Sequence, residues 1–445
     1  MKLSRQHIIC FLFFVLLSVM GKAQDVKHFS LEDAIEEALQ NNKLLQIQQE
    51  KTNESRYKVT TVAAMGKPQL FATATYLHFF EENNLVIPTG GIGSILDIPI
   101  PWKDYTLYNG KQDIFAASVM GYQPITQLFR VKNGVKAARA QVETDQLQAA
   151  QVRLKIQAGM EKLFYAIKIQ ERKIAENEAE IALAKALVYD VESAVIAGNA
   201  QKVQLMGLKA DLANKKHALL EAEIEKENYV DDFRTNLSIP DSVDIQLDSL
   251  ELKPHILKSK VDYRSASKKN NPELLAAQKQ LEKSEYGIKA AKNAYLPDLG
   301  VVAGATYQGA INELTETNYF VGANLSWNFL DFGKRKSALN QSKSKQKQAA
   351  LYAEDKAEKV QDSVDKAYRN AEQAAQLMTT AQEAYQFRKE EYRIKSDGLE
   401  MGLLTEKEVL QTKVDLETAA QKAYSAVLNY NMAILDLKVL SGKGL

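Results

Sequence analysis

The sequence predicts an exported membrane protein of mixed α/β class, in which very long helices follow short strands. Three observations lead to this prediction. Proline is absent between Pro124 and Pro240 and again after Pro297. Because proline breaks helix interiors, both runs can form long helices. Alternating apolar and polar residues mark strand-sized segments ahead of each long helix, and the N-terminal residues have the composition of a secretory signal.

The first 23 residues are predicted to be a signal peptide. Lys2 and Arg5 precede an apolar run at 8–20, and Gly21-Lys22-Ala23 offers a cleavage site after Ala23. This run is shorter than the roughly 18 residues that a membrane-spanning helix needs. The only cysteine, Cys10, lies in the same segment. The mature chain is therefore predicted to have no disulfide, thiolate nucleophile or cysteine metal site.

The charge balance excludes a nucleic-acid-binding footprint. The chain has 57 Lys and Arg residues against 56 Asp and Glu. Loss of Lys2, Arg5 and Lys22 with the signal leaves 54 basic residues and a net charge of about −2. No later stretch has the roughly 18 apolar residues of a membrane helix. The protein is thus predicted to be exported without a helical membrane span.

A 3.5-residue repeat in the second proline-free run predicts a coiled-coil seam. Its positions are Val360, Val364, Ala367, Ala371, Ala374, Met378, Ala381 and Tyr385. The many alanines favour close approach of a neighbouring helix. A helix from Lys334 to about Ser396 would be on the order of 95 Å long at 1.5 Å per residue, which predicts an elongated molecule.

The two halves of the chain resemble each other. Lys209-Ala210-Asp211-Leu212 corresponds to Lys413-Val414-Asp415-Leu416, and the same shift places Gly198 on Gly402. We therefore predict an internal two-fold repeat, with a first copy at 24–240, a connecting segment at 241–268 and a second copy at 269–445. Each copy is predicted to contain, in order, a helix, a strand, a loop, a strand, a long helix, a turn and a second long helix.

Four segments, near 69–79, 113–122, 299–308 and 319–329, are predicted to be transmembrane β-strands. The last is the clearest, because Tyr319, Val321, Ala323, Leu325, Trp327 and Phe329 share one apolar face. Aromatic residues at both ends of an alternating strand are typical of membrane barrels; a soluble sheet with one buried face is the alternative. Tyr319, Trp327 and Phe329 are therefore predicted to lie at the membrane interfaces.

Four strands cannot close a barrel, and open strand edges are not tolerated in hydrocarbon. Strands in a membrane thus require several chains to share one barrel, and three chains would supply twelve strands. Asp331-Phe332-Gly333 is predicted to be the corner where the last strand gives way to a long helix. The segment 81–112 is predicted to be an extracellular loop, and its folding over a pore is a hypothesis.

An ordered set of motifs resembles the TolC family of outer-membrane efflux proteins, the outer membrane factors. The motifs are Ser30-Leu31-Glu32-Asp33-Ala34-Ile35, Asn271-Pro272-Glu273-Leu274, Asn293-Ala294-Tyr295-Leu296-Pro297 and the corner from Trp327 to Arg335. The resemblance implies a homotrimer with a twelve-stranded barrel in the outer membrane. This barrel would be continuous with a long α-helical coiled-coil barrel in the periplasm, and the connecting segment would form an equatorial region.

The resemblance also implies a function. The chain would be the passive duct of a tripartite efflux or type I secretion system, not an enzyme, joined to a periplasmic adaptor and an inner-membrane transporter. The alternative is a coiled-coil envelope scaffold or adhesin without a channel. His28, His78, His217 and His255 have no metal-like spacing. We therefore predict no catalytic, cofactor or metal site.

The resemblance assigns Gly198, Gly402, Leu403, Leu404 and Thr405 to the tips that dock the adaptor. Glycine after a long helix commonly adopts the left-handed conformation that reverses the chain. Thr405 is predicted to cap the returning helix, with Glu408 completing a capping box. The gate network of the best-known members is not matched. Glu408 could instead form a three-fold carboxylate ring, and its capping and ring roles both stay open.

Overall fold

A computed structural model of the protein describes residues 26–82, 84–240, 242–249, 253–309 and 315–442. The chain divides into two compact units. Unit 1 comprises Met1–Glu50, Gln146–Leu275 and Asp355–Leu445, and unit 2 comprises Lys51–Asp145 and Ala276–Glu354. The predicted signal peptide lies outside the described residues.

Long helices follow pairs of strands along the chain. The helices are α1 Leu31–Asn41, α2 Lys43–Ala64, α3 Leu128–Ile196, α4 Lys202–Leu237, α5 Lys260–Asn270, α6 Pro272–Asn293, α7 Lys334–Glu400 and α8 Glu406–Leu440. The strands are β1 Val26–Phe29, β2 Gln69–His78, β3 Leu85–Ile87, β4 Gly93–Ile95, β5 Ile98–Ile100, β6 Tyr105–Tyr108, β7 Asp113–Pro124, β8 Asp244–Leu247, β9 Asp298–Gln308 and β10 Thr317–Ser326. Among the described residues, no helix combines the length and apolarity needed to cross a membrane.

The core of unit 1 forms where β1 and β8 lie against the long helices. The two strands pair in parallel, with Val26 opposite Asp244. The Phe29 ring meets the Phe233 ring edge-on at a centroid distance of 6.1 Å. Phe233 and Leu237 on α4 have no exposed surface. This cluster also includes Met160, Phe164, Ile167 and Leu428, all fully buried. The pairing of β1 with β8 thus closes a core to which distant segments of the chain contribute.

The positions of the predicted coiled-coil seam lie on the covered side of α7. All eight positions from Val360 to Tyr385 are buried or half-buried. Val364 and Ala371 have no exposed surface and pack with Tyr430, Ile434 and Leu437 of α8. Because alanine occupies half of the seam, the facing helix can approach closely.

Unit 2 contains a four-stranded antiparallel sheet with the order β10-β9-β7-β2. All four predicted strands are present within three residues of their expected ends. The predicted apolar face of the last strand continues onto β9, since Tyr319 lies opposite Ala305 and Leu325 opposite Leu299. Tyr319 and Val321 are 83% and 79% exposed, so this face has no cover within the described chain.

The placement of Trp327 and Phe329 on the last strand was wrong. β10 ends at Ser326, which pairs with Asp298. The chain just before this partner strand is a turn at 294–296, in which the Tyr295 and Leu296 N–H groups donate to the carbonyls of Lys292 and Asn293. No extended backbone therefore lies beyond Asp298 for the residues after Ser326 to pair with. Trp327 and Phe329 lie in the segment after the strand, with their ring centroids 6.3 Å apart, and both remain exposed.

The segment 241–268 contains more regular structure than a plain linker. It holds β8 and most of α5. The α5–α6 pair has the same helix lengths as the α1–α2 pair, 11 and 22 residues. Asn42 and Asn271 separate the helices with nearly equal backbone angles. Ser30 and Ser259 cap the first helix of each pair through the third helical N–H.

We predict that Leu237→Ala will lower the free energy of unfolding by about 2–5 kcal/mol, because it leaves a cavity in the core of unit 1. The control is Leu220→Ala, the same change at a side chain of α4 that is 54% exposed. Urea unfolding of the detergent-solubilised protein, followed by circular dichroism, measures both. Equal losses would contradict the assignment of this core.

Candidate functional site

Two helical hairpins of unit 1 reverse at glycines, as predicted. Gly198 follows α3 with φ +75°, and Gly402 follows α7 with φ +71°. At the first reversal, the Asn199 N–H donates to the Ala194 carbonyl at 2.8 Å. At the second, the Leu403 N–H donates to the Gly398 carbonyl at 2.9 Å. Both are the long-range bonds of a Schellman motif, which requires a left-handed residue and therefore favours glycine.

In both returning helices, the N–H of the residue before the helix donates to the side chain three residues later, which is a carboxylate in one hairpin and an amide in the other. The Thr405 N–H donates to Glu408 Oε2 at 2.8 Å, and the Glu408 N–H donates to Thr405 Oγ1 at 3.4 Å. The predicted capping box is therefore confirmed. In the first hairpin the Gln201 N–H donates to Gln204 Oε1 at 3.3 Å. The second tip thus carries a carboxylate where the first carries a neutral amide.

The hydrogen bonds of the cap stabilise the charged form of Glu408. Donation from the Thr405 backbone, and then from its hydroxyl, lowers the pKa of this carboxyl below its ordinary value. The side chain remains exposed to solvent. Capping occupies Oε2, and an exposed carboxylate at this position can cap the helix and still present its charge outward.

Both tips expose apolar side chains. Ile196 is 84% exposed and Leu403 is 74% exposed, and Val203 and Met401 are also exposed. Leu404 instead folds back against Gly398, where an added Cβ would lie 3.0 Å from Leu404 Cδ1. Sequence reasoning missed Ile196, Val203 and Met401. Their positions near a helix-ending glycine could have indicated exposure, because solvent surrounds the chain where a hairpin reverses.

The two hairpins contact each other behind their tips. Ala179 and Leu183 of α3 pack against Val414 of α8. Within the first hairpin, Lys209 Nζ lies 2.9 Å from Glu192 Oε1, with both side chains nearly half exposed. Exposed pairs of this kind contribute little to stability. The apolar contacts therefore do more than the ion pairs to fix the tips in unit 1.

The predicted corner at Asp331-Phe332-Gly333 is a compact turn in unit 2. Phe332 and Gly333 have positive φ, at +48° and +89°. Asp331 Oδ1 accepts from the Gly333 N–H, and Oδ2 accepts from the Arg335 N–H, each at 3.1 Å. The Arg335 side chain also donates to Asp331 and is the main cause of the lowered pKa of this carboxyl. Asp331 thereby supplies acceptors to the first turn of α7.

The corresponding corner of the first half uses a residue that sequence reasoning missed. Thr126 Oγ1 donates to the Pro297 carbonyl at 2.7 Å and accepts from the Leu299 N–H at 2.8 Å. One hydroxyl thus links the start of α3 to the start of β9. Arg130 adds an ion pair with Asp298 at 2.6 Å. No local pattern indicated this role, because the partner is 171 residues away.

The predicted loop at 81–112 forms two small antiparallel ribbons. β3 pairs with β6, and β4 pairs with β5. Asp104 accepts from the N–H and the hydroxyl of Thr89, which lowers the pKa of its carboxyl. The ribbons expose apolar side chains, including Ile92, Leu96 and Trp102. In the described part of the chain, no three His, Asp or Glu residues cluster closely enough to hold a metal ion.

Comparison with a family model supports the resemblance identified in the sequence. Residues 264–443 match the model of the outer membrane efflux protein family. A sequence comparison with curated proteins finds no significant match. The family match covers the second half of the chain and confirms the resemblance there.

Solved structures show the same fold over nearly the whole chain. The CmeC outer membrane channel of Campylobacter jejuni superposes with a TM-score of 0.74 at 15% identity, covering 93% of this chain and 86% of that one. The outer membrane protein VceC of Vibrio cholerae gives 0.70 at 15%, covering 93% and 96%. The open-state MtrE outer membrane channel of Neisseria gonorrhoeae gives 0.69 at 16%, covering 93% and 89%. At these identities the likeness shows the fold.

We predict that Thr405→Ala will increase hydrogen–deuterium exchange in the first turn of α8, because the cap on the Glu408 N–H is lost. Loss of a threonine cap costs about 1 kcal/mol, which corresponds to several-fold faster local opening. Thr405→Ser keeps the hydroxyl and is the matched control. If the two variants exchange alike at 406–409, the capping box does not stabilise the tip.

Proposed function

We propose that three copies of this chain form a passive exit duct that crosses the bacterial outer membrane and extends into the periplasm. The observation that carries the proposal is the four-stranded antiparallel sheet with an exposed apolar face. It occurs in a chain with the fold of outer membrane channels. The match of residues 264–443 to outer membrane efflux proteins supports the same function.

The edges of the sheet favour a barrel shared by several chains. β2 and β10 are its outer strands, and every residue of both is exposed. In a bilayer their outward N–H and C=O groups need partners, because hydrocarbon offers none. Pairing β10 of one chain with β2 of the next satisfies both edges. Three chains then close a barrel of twelve strands around a pore.

The aromatic residues and the corner would mark the limits of the membrane. Tyr319 lies near the start of β10, while Trp327 and Phe329 follow its last residue. Aromatic side chains favour the lipid–water interface at both ends of a barrel strand. Asp331, Phe332 and Gly333 would then redirect the chain into α7 at the periplasmic boundary.

The hairpin tips would dock a periplasmic adaptor, and an inner-membrane transporter would supply the energy. Gly198 and Gly402 reverse the helices, and Leu403, Leu404 and Thr405 shape the second tip. The exposed Ile196 and Met401 add apolar surface that a helical partner could cover. The duct would not be an enzyme and would bind no nucleic acid. Its cargo would be set by the transporter.

The matched helix pairs support an internal duplication whose second copy begins earlier than the sequence suggested. The caps at Ser30 and Ser259, and the junctions at Asn42 and Asn271, occupy equivalent places. A second copy that starts near Ser259 would include all of α5. The equatorial segment would then be limited to β8 and the residues around it.

We predict that the protein, extracted in detergent, will run as a trimer that resists mild SDS and will conduct ions in planar bilayers. Both results follow from a barrel closed by three chains. Cross-linking with mass measurement determines the number of chains, and single-channel recording determines the conductance. A water-soluble monomer without conductance would rule out the duct and favour an envelope scaffold.

We predict that Glu408→Gln will lower the cation-to-anion permeability ratio by about twofold or more, if three copies of this carboxylate form a ring at the tip. Glu406→Gln removes an exposed charge from the same helical turn without touching the cap. Reversal potentials in a salt gradient measure the ratio for each variant. Equal effects of the two substitutions would leave Glu408 with its capping role alone.

A further inference from the structure

A cavity of about 630 Å³ lies in unit 1, between α1, α3 and the segment around His255. One wall is apolar and consists of Leu31, Ile35 and Leu39 of α1. The lining also contains Glu161 and Tyr165 of α3. The cavity lies apart from the hairpin tips and from the strand-to-helix corner, and the proposed duct does not use it.

Glu161 is a buried carboxylate with one oxygen left without a partner. Its residue is 2% exposed. Oε1 accepts from the Tyr165 hydroxyl at 2.6 Å, and Oε2 has no hydrogen-bond partner among the described residues. Burial, and then the charge of Glu161, raises the pKa of Tyr165, so this phenol remains a donor. An unpartnered oxygen on a buried carboxylate is costly, which points to a missing donor.

A second buried atom close by also lacks a partner. His255 Nε2 lies 3.7 Å from Glu161 Oε1, beyond hydrogen-bond distance, and has no other partner in the described chain. The backbone of His255 is held firmly. Its N–H donates to Asn431 Oδ1 at 2.9 Å, and its carbonyl accepts from the Tyr430 hydroxyl at 2.7 Å. A neutral imidazole with its proton on Nδ1 would present Nε2 as a second acceptor.

The two cationic side chains that line the cavity do not pair with Glu161 or His255. Arg153 and Lys438 line the same cavity, but no ion pair within 4.0 Å joins either of them to Glu161 in the described residues. Arg153 is exposed. The two side chains thus line the cavity without forming an ion pair with the carboxylate, and they would repel a further cation.

We propose that this cavity binds an alkylammonium group. The ammonium would donate to Glu161 Oε2 and His255 Nε2, and its alkyl chain would lie on Leu31, Ile35 and Leu39. An ammonium carries three donors and a positive charge. It therefore satisfies both unpartnered acceptors and compensates the buried carboxylate. Water could donate to both atoms but brings no charge, so a water-filled cavity is the alternative.

Binding would join the His255 segment to α3. His255 is already tied to α8 through Asn431 and Tyr430, whereas its contact with Glu161 is too long for a hydrogen bond. A ligand that fills this gap binds the folded unit and not the unfolded chain. It must therefore raise the temperature of unfolding as its concentration increases.

The test is calorimetric titration of the full-length, detergent-solubilised protein with n-butylammonium chloride, alongside n-butanol and sodium chloride. We expect saturable binding of the amine, one per chain, and none of the alcohol or the sodium salt. Glu161→Gln should weaken binding by about tenfold or more, because the charged acceptor is lost. Glu36→Gln changes another, exposed carboxylate of the lining and should alter affinity by less than about twofold.

Arg153→Ala provides a second variant that leaves the buried carboxylate intact. Removing this like charge should tighten binding of the amine by about threefold. The proposal is overturned if the amine does not bind, if amine and alcohol bind equally, or if Glu161→Gln leaves the binding unchanged. Each of these results would favour a cavity that holds only water. If Glu161→Gln does not fold, weaker or unchanged binding to Arg153→Ala overturns the proposal.

Discussion

The hydrogen-bonding requirement of the two edge strands constrains the rest of the molecule. β2 and β10 are each paired on one side only within the described chain. In water these edges could be solvated, but their exposed apolar face, with Tyr319 and Val321, favours lipid. A lipid environment demands partners for every backbone group. The demand can be met by more copies of the chain, and this requirement of one sheet is the reason why we propose an oligomer as the functional unit.

The features that the sequence predicted depend on local or periodic signals. Strand alternation located all four sheet strands, the 3.5-residue repeat located the buried seam of α7, and the Thr405–Glu408 spacing located a capping box that the structure contains. The features that were missed depend on distant partners. β8 exists because it pairs with β1, more than 200 residues earlier. β10 ends early because its partner β9 begins only at Asp298, after a turn at 294–296, and the Thr126 hydroxyl donates to a carbonyl that follows it by 171 residues.

The two units are stabilised by different kinds of contact. In unit 1, fully buried Phe233, Leu237 and Val364 fix the helices, while most ion pairs have at least one exposed partner, as in Lys209–Glu192 and Lys162–Asp436, and contribute little to stability. In unit 2, the turns depend on polar contacts, with Asp331 accepting from Gly333 and Arg335 and with Thr126 bridging to Pro297. Burial thus holds the long helices, whereas directed hydrogen bonds fix the corners where the chain changes from strand to helix.

The two hairpin tips have the same backbone geometry but capping side chains of different charge. Both glycines adopt the left-handed conformation and both returning helices begin with a side chain that accepts from the capping N–H. Gln204 does this without charge, while Glu408 does it as a carboxylate whose pKa is lowered by the same bonds. The cap therefore keeps Glu408 ionised while holding it in place. In a trimer the negative charge of this position would come from the second hairpin alone, giving three carboxylates in alternation with three neutral amides.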